Sequence, residues 1–119
     1  MTDMDIQRIG VTPRYADAVA YGGVVHAVEV PADEHGDIAE QTRGLLSALE
    51  ATLERAGSSK ARLLTATVYL TDMADYDGFN AVWDAWLVPG CAPSRACVKV
   101  AGLARAGWRV EVVVSAAAV

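Results

Sequence analysis

Long apolar runs, paired cysteine motifs and basic charge are all scarce in this chain of 119 residues. It has no run of about 18 consecutive apolar residues, so a transmembrane helix is not expected. Its two cysteines, Cys91 and Cys97, form no CxxC pair and stand beside no histidine cluster. That removes the spacing of a zinc site or a disulfide framework, and both thiols read as reduced side chains that pack. Ten Lys and Arg face fifteen Asp and Glu, a formal net charge of −5. Nonspecific nucleic-acid binding rests on basic patches that neutralise phosphates, so this balance argues against it while leaving room for a local basic pocket. No Ser-His-Asp order, Walker loop or dinucleotide-binding glycine pattern is present. Met1-Thr2-Asp3-Met4-Asp5 is acidic and lacks the basic start and apolar segment of a signal peptide, so a cytoplasmic protein is expected.

What the chain has in excess is apolar content, 53% against 21% charged. The length fits one domain, 1–119, without repeat or linker. So much apolar surface exceeds what one small domain hides, which points to a subunit interface.

Residues 6–11 read as a short strand before the break at Pro13-Arg14. The alanine-rich segment Tyr15 to Tyr21 fits helix or strand equally. Gly22-Gly23 marks a hairpin turn into the strand Val24 to Val30, which Pro31 ends. Asp37-Ile38-Ala39-Glu40 has the form of a capping box. Ile38, Thr42, Leu45, Leu46, Leu49 and Leu53 then recur at helical spacing until Gly57. Ala61 to Thr71 alternates as a strand, with Leu64, Ala66, Val68 and Leu70 on one face and Leu63, Thr65, Thr67 and Tyr69 on the other. Asp75 is the expected cap of a second helix whose inner face carries Tyr76, Phe79, Val82, Trp83 and Trp86, and Pro89-Gly90 ends it. Two closing strands, 93–100 and 108–113, are expected to pair as a hairpin centred near Leu103. The order β-β-α-β-α-β-β predicts an α+β fold, a mixed sheet with two helices on one face. A symmetric oligomer is the simplest cover for the other face.

Arg95 and Glu111 each place a charge in a half-buried strand, where it must be exposed, paired or used. In the expected hairpin Arg95 lies roughly opposite Glu111, while Cys97 shares the face of Arg95. On spacing alone a structural cross-strand ion pair accounts for this pattern better than a small-molecule site does. Tyr15 and Asn80 fit ordinary surface equally well. His26 and Glu29 point to opposite faces and make a poor metal pair, and His35 reads as a solvated loop residue.

The sequence resembles the RidA family, also known as YjgF/YER057c/UK114, over nearly its full length. The resemblance is carried by Pro13-Arg14-Tyr15, Gln41-Thr42, Thr67-Val68-Tyr69-Leu70-Thr71-Asp72, Phe79-Asn80, and most specifically Ala92-Pro93-Ser94-Arg95-Ala96-Cys97-Val98 with Val110-Glu111-Val112. It implies a chorismate-mutase-like fold and a homotrimer whose sheets line a central barrel, with clefts between subunits. It further implies hydrolysis of reactive enamines and imines, of the 2-aminoacrylate type, to 2-keto acids and ammonia, without metal or cofactor. By resemblance, Arg95 binds the substrate carboxylate, Glu111 positions the attacking water and the Cys97 carbonyl helps to hold it, while Tyr15 and Asn80 shape the cleft. A guanidinium fork suits the first role, since it makes two parallel charge-assisted bonds to a carboxylate. The family commonly carries Ser-Gly-Gln where this chain has Ala27-Val28-Glu29, which removes a hydroxyl and adds a charge. That departure motivates the alternative of a trimer that binds small carboxylates without turnover. RNA cleavage, a label some relatives carry, is disfavoured by the acidic charge.

Overall fold

The computed structural model describes residues 5–119. Six strands and two helices run β1 (Gln7–Ile9), β2 (Ala18–Tyr21), β3 (Val24–Glu29), α1 (Ile38–Arg55), β4 (Leu63–Leu70), α2 (Tyr76–Trp86), β5 (Ser94–Lys99) and β6 (Val110–Ala117). The ambiguous alanine-rich segment is thus a strand. Its hairpin with β3 closes through Gly22 and Gly23 at φ 60° and 81°, as a two-residue turn requires.

Helix α1 forms where its caps and apolar spacing agree. Asp37 accepts the Glu40 N–H at 2.9 Å and Glu40 returns a bond to the Asp37 N–H at 3.2 Å, completing the expected capping box. At the other end Ser58 N–H donates to the Leu53 carbonyl and Gly57 N–H to that of Glu54, a Schellman ending. Its stripe of Thr42, Leu45, Leu46, Leu49 and Leu53 is buried. Phe79 and Trp83 of α2 complete the helical side of the core, and Val68, Leu70, Val110, Val112 and Val114 complete the sheet side. Both helices therefore cover one sheet face, the α+β arrangement expected. Among the described residues no helix is long and apolar enough to cross a membrane.

Three expectations fail. The strand order is β1-β2-β3-β6-β4-β5, so β5 and β6 form no hairpin. Instead α2 carries the chain over to lay β5 parallel on β4, and residues 100–109 bring it back so that β6 inserts antiparallel between β3 and β4. An alternating pattern fixes which face a strand buries but not its neighbour. Second, a register shift between Leu63 and Thr65 turns Leu63 inward and leaves Leu64 exposed, the reverse of the expected faces. Third, the Asp75 side chain makes no cap bond to α2. It pairs with Arg109 at 3.1 Å, while Asp72 accepts the Ala74 N–H in the preceding 3-10 turn.

Candidate active site

Sheet register separates the two charges that the sequence set opposite each other. Arg95 is the partner of Ala66 on β4, and Ala66 is the partner of Val114 on β6. Glu111 lies three residues from Val114. An odd offset in a strand changes the face, so Arg95 is on the helix-covered side and Glu111 on the open side. The proposed cross-strand ion pair is absent. Among the described residues the ion pairs are Lys60–Glu50 and Arg109–Asp75.

Arg95 is instead held by neutral groups of α2. One guanidinium nitrogen donates to Asn80 Oδ1 at 2.9 Å and the other to the Tyr76 hydroxyl at 3.4 Å. Its central carbon lies 5.6–6.0 Å from the ring centroids of Tyr76, Phe79 and Trp83. Tyr76 and Asn80 are one helical turn apart, and that spacing brings both to the same guanidinium. The result is a cation oriented by uncharged partners, with capacity left for an anion. Cys97 sits two residues on, on the same face. Burial pushes its thiol above the ordinary range, against the opposing pull of Arg95, so it stays protonated at neutral pH and is no thiolate nucleophile.

Glu111 and Tyr15 meet in a separate cavity of about 290 Å³, together with Asp17, Glu29 and Trp108. Tyr15 is exposed but tethered, since Thr12 Oγ1 accepts its N–H at 3.1 Å and the Thr12 N–H donates to its carbonyl at 2.7 Å. Glu29 is half-buried and accepts the Val30 N–H at 3.1 Å. Burial raises its carboxyl above the ordinary value, the Val30 bond lowers it, and the Asp17 charge raises it further.

The sequence assigned no site role to three contributors. Tyr76 was read only as a core residue, although its one-turn offset from Asn80 signals a shared face. Trp108 lines the Glu111 cavity. Gln41, buried inside the apolar stripe of α1, donates from Nε2 to the Gly107 carbonyl at 2.9 Å and the His35 carbonyl at 3.3 Å. It also accepts the Arg109 N–H at 2.9 Å on Oε1, so it grips both neighbours of Trp108. A glutamine interrupting a leucine stripe was the available signal. Among the described residues, no three His, Cys, Asp or Glu side chains converge to hold a metal ion.

Comparison with known proteins places the chain in a family. The model of the family described as Endoribonuclease L-PSP matches residues 5–118. A RutC family protein of Haemophilus ducreyi is 43% identical over 113 residues, covering 94% of this chain and 96% of that protein.

The chain belongs to this family.

A second RutC family member, YoaB of Escherichia coli, is 39% identical over 114 residues, covering 96% of this chain and 99% of the relative. A crystal structure of a YjgF family protein from Neisseria meningitidis superposes with a TM-score of 0.94 at 43% identity, covering 99% of this chain and 98% of that one. RutC and YjgF are thus names for the family that the Arg95 and Glu111 motifs resembled.

Proposed function

We propose that this protein is an enamine and imine deaminase that hydrolyses small 2-imino acids to 2-keto acids and ammonia in a site shared between copies of a homotrimer. The observation that carries the reading is the Arg95 guanidinium, oriented by Asn80 and Tyr76 with no carboxylate partner among the described residues. Arg95 binds the substrate carboxylate with its remaining donors. Glu111 and Tyr15 come from the cavity of a neighbouring copy, because Arg95 and Glu111 of one chain lie on opposite sheet faces. Exposed Leu64, Val98 and Val113 on the open face, together with β5 at the sheet edge, support association there.

The chemistry requires placement more than activation, since an imine carbon is already electrophilic. Glu111 accepts a proton from a water as its oxygen bonds to the imine carbon and the C=N π pair moves to nitrogen. Glu111 returns that proton to nitrogen, giving a carbinolamine; it then carries the hydroxyl proton to the same nitrogen as the C–N bond breaks with its electron pair to nitrogen, so that the C=O closes and ammonia leaves. The Cys97 backbone carbonyl helps to hold the water. A family description that names ribonuclease activity finds less support here, given a net charge of −5 and the carboxylates of the cavity.

The test is keto-acid release from imines generated in place by an amino-acid oxidase. The wild-type protein accelerates release over buffer, and Arg95→Ala, still folded and assembled, does not. Equal rates for the two would remove Arg95 from the site. Saturable keto-acid binding without any acceleration would favour a binding module of the same fold.

A further inference from the structure

An enamine such as 2-aminoacrylate poses two proton transfers on neighbouring carbons. Water must lose a proton as it attacks C2, and C3 must first gain one to turn the enamine into the imine. Glu111 takes the proton from water in the proposed deaminase. A carboxylate that starts the turnover as a base cannot start the same turnover as an acid. The cavity that holds Glu111 supplies a second carboxyl, that of Glu29, on its β3 wall.

The two carboxyls stand in different surroundings. Glu29 is half-buried at the end of β3, and one of its oxygens is occupied by the Val30 N–H at 3.1 Å. Among the described residues its other oxygen has no hydrogen-bond partner, which leaves it to carry a proton. Asp17 is tied to the same strand, since its carbonyl accepts the Val28 N–H at 3.2 Å. Gly10 packs so closely on the Asp17 carboxylate that a Cβ at residue 10 would overlap it. Of the titratable groups lining the cavity, Asp17 and Tyr15 come from the segment leading into β2 and Glu111 from β6, while loop 100–109 adds only Ala104 and Trp108. Among the described residues no lysine, arginine or histidine lines it. Burial raises the Glu29 carboxyl, the Val30 bond lowers it and the Asp17 charge raises it again. The net rise lets it keep a proton at pH values where an exposed carboxyl has lost one. Two carboxyls of one site in unlike surroundings divide the work of acid and base.

We propose that Glu29 is the proton donor to C3 of enamine substrates, which gives this cavity an enamine–imine tautomerase step ahead of hydrolysis. The step rests on the deaminase reading for its substrate class, and its stereochemistry tests it apart from that reading. The Glu29 O–H proton passes to C3, where the C=C pair forms the new C–H bond. The nitrogen lone pair closes the C=N bond. The Glu29 carboxylate then takes up the N–H proton, directly or through water, which restores the acid. The imine left in place is the species that water attacks beside Glu111. With the substrate carboxylate held by Arg95 of the adjoining copy and Glu29 fixed on one wall, the proton reaches one face of C3.

The experiment feeds the assembled protein one carbon skeleton by two routes in D2O. Threonine with a pyridoxal-dependent dehydratase releases the enamine, and 2-aminobutyrate with an amino-acid oxidase releases the imine. The dehydratase is one that alone gives both C3 configurations equally. A 2-hydroxy-acid dehydrogenase reduces the keto acid as it forms, and NMR reads the deuterium configuration at C3. From the enamine, wild type places deuterium in one configuration. Glu29→Gln gives both equally and lowers the enamine rate relative to the imine rate about tenfold or more. That relative rate also falls as pH rises through the Glu29 titration. Asp17→Asn moves the fall to lower pH, because the charge that raises the Glu29 carboxyl is gone. A Glu29 that only supports the fold would change Tm and leave the configuration as it was. Equal configurations from wild type, or a single one kept by Glu29→Gln in an intact oligomer, overturns the assignment. Equal configurations beside Arg95-dependent imine hydrolysis remove the tautomerase step and keep the deaminase. A single Glu29-dependent configuration without faster imine hydrolysis does the reverse.

Discussion

The two faces of the sheet treat charge in opposite ways. On the covered face, Arg95 is wedged under α2 among the Asn80 amide and the rings of Tyr76, Phe79 and Trp83. On the open face, Glu111 lies in a cavity with Asp17 and Glu29 and, among the described residues, no cation. In the proposed site each face holds one half of an ion-binding and proton-handling pair. The period of two in a strand forbids one copy from joining them. Association would unite these halves and bury apolar side chains that the isolated chain leaves in water.

The largest expected effect comes from charging the open face. Val113→Glu should dissociate the oligomer and abolish turnover, because a carboxylate buried without a partner costs several kcal/mol. Ala51→Glu, on the exposed side of α1, should change neither. Light scattering and imine hydrolysis check both, and an intact, active Val113→Glu oligomer would break the contrast. Next in size is Asn80→Ala on the covered face. A hydrogen bond to a charged group is worth about 1.5–3 kcal/mol, so kcat/KM should fall about tenfold or more, with a smaller loss for Tyr76→Phe and its longer bond.

The end of β3 should also show a pH signature. The Glu29 carboxyl is raised in the fold above its ordinary 4.5, so ionising it costs more in the native state than in the unfolded chain. Its contribution is therefore favourable at low pH and is lost as pH rises from about 4.5 through the folded value. Glu29→Gln should gain Tm over wild type at pH 7 and lose that advantage near pH 4. A constant difference across that range would show that charge is not the cause. The smallest effect belongs to Asp75→Ala. Its pair with Arg109 is half-exposed on the arginine side, so thermal unfolding should shift by no more than about 1 kcal/mol.

What could be read from the sequence divides along the same physical lines. Local signals succeeded where one segment contains all the partners: the Asp37–Glu40 box, the Leu45-to-Leu53 stripe and the Gly22-Gly23 hairpin. Arg95 and Cys97 fell on one face, as alternation required. The pairing of β6 did not follow from alternation, since Val110 to Val114 suits a place beside β5 or between β3 and β4 equally well. Asp75 was misjudged because its partner, Arg109, lies 34 residues away. Gln41 stood out only as part of a family motif, and its structural role was hidden because its bonds reach across 66 and 68 residues to a loop with no periodicity. The positions of Arg95 and Glu111 in their strands were legible, and their separation onto opposite faces was not.

The most direct measurement mixes two inactive variants. Arg95→Ala retains Glu111, and Glu111→Gln retains Arg95, so a copy of each can complete one site across their interface. Co-assembled oligomers should recover about a quarter of wild-type hydrolysis, the fraction expected when copies pair at random in a closed ring. A verified mixed oligomer no more active than either parent would contradict a site shared between copies.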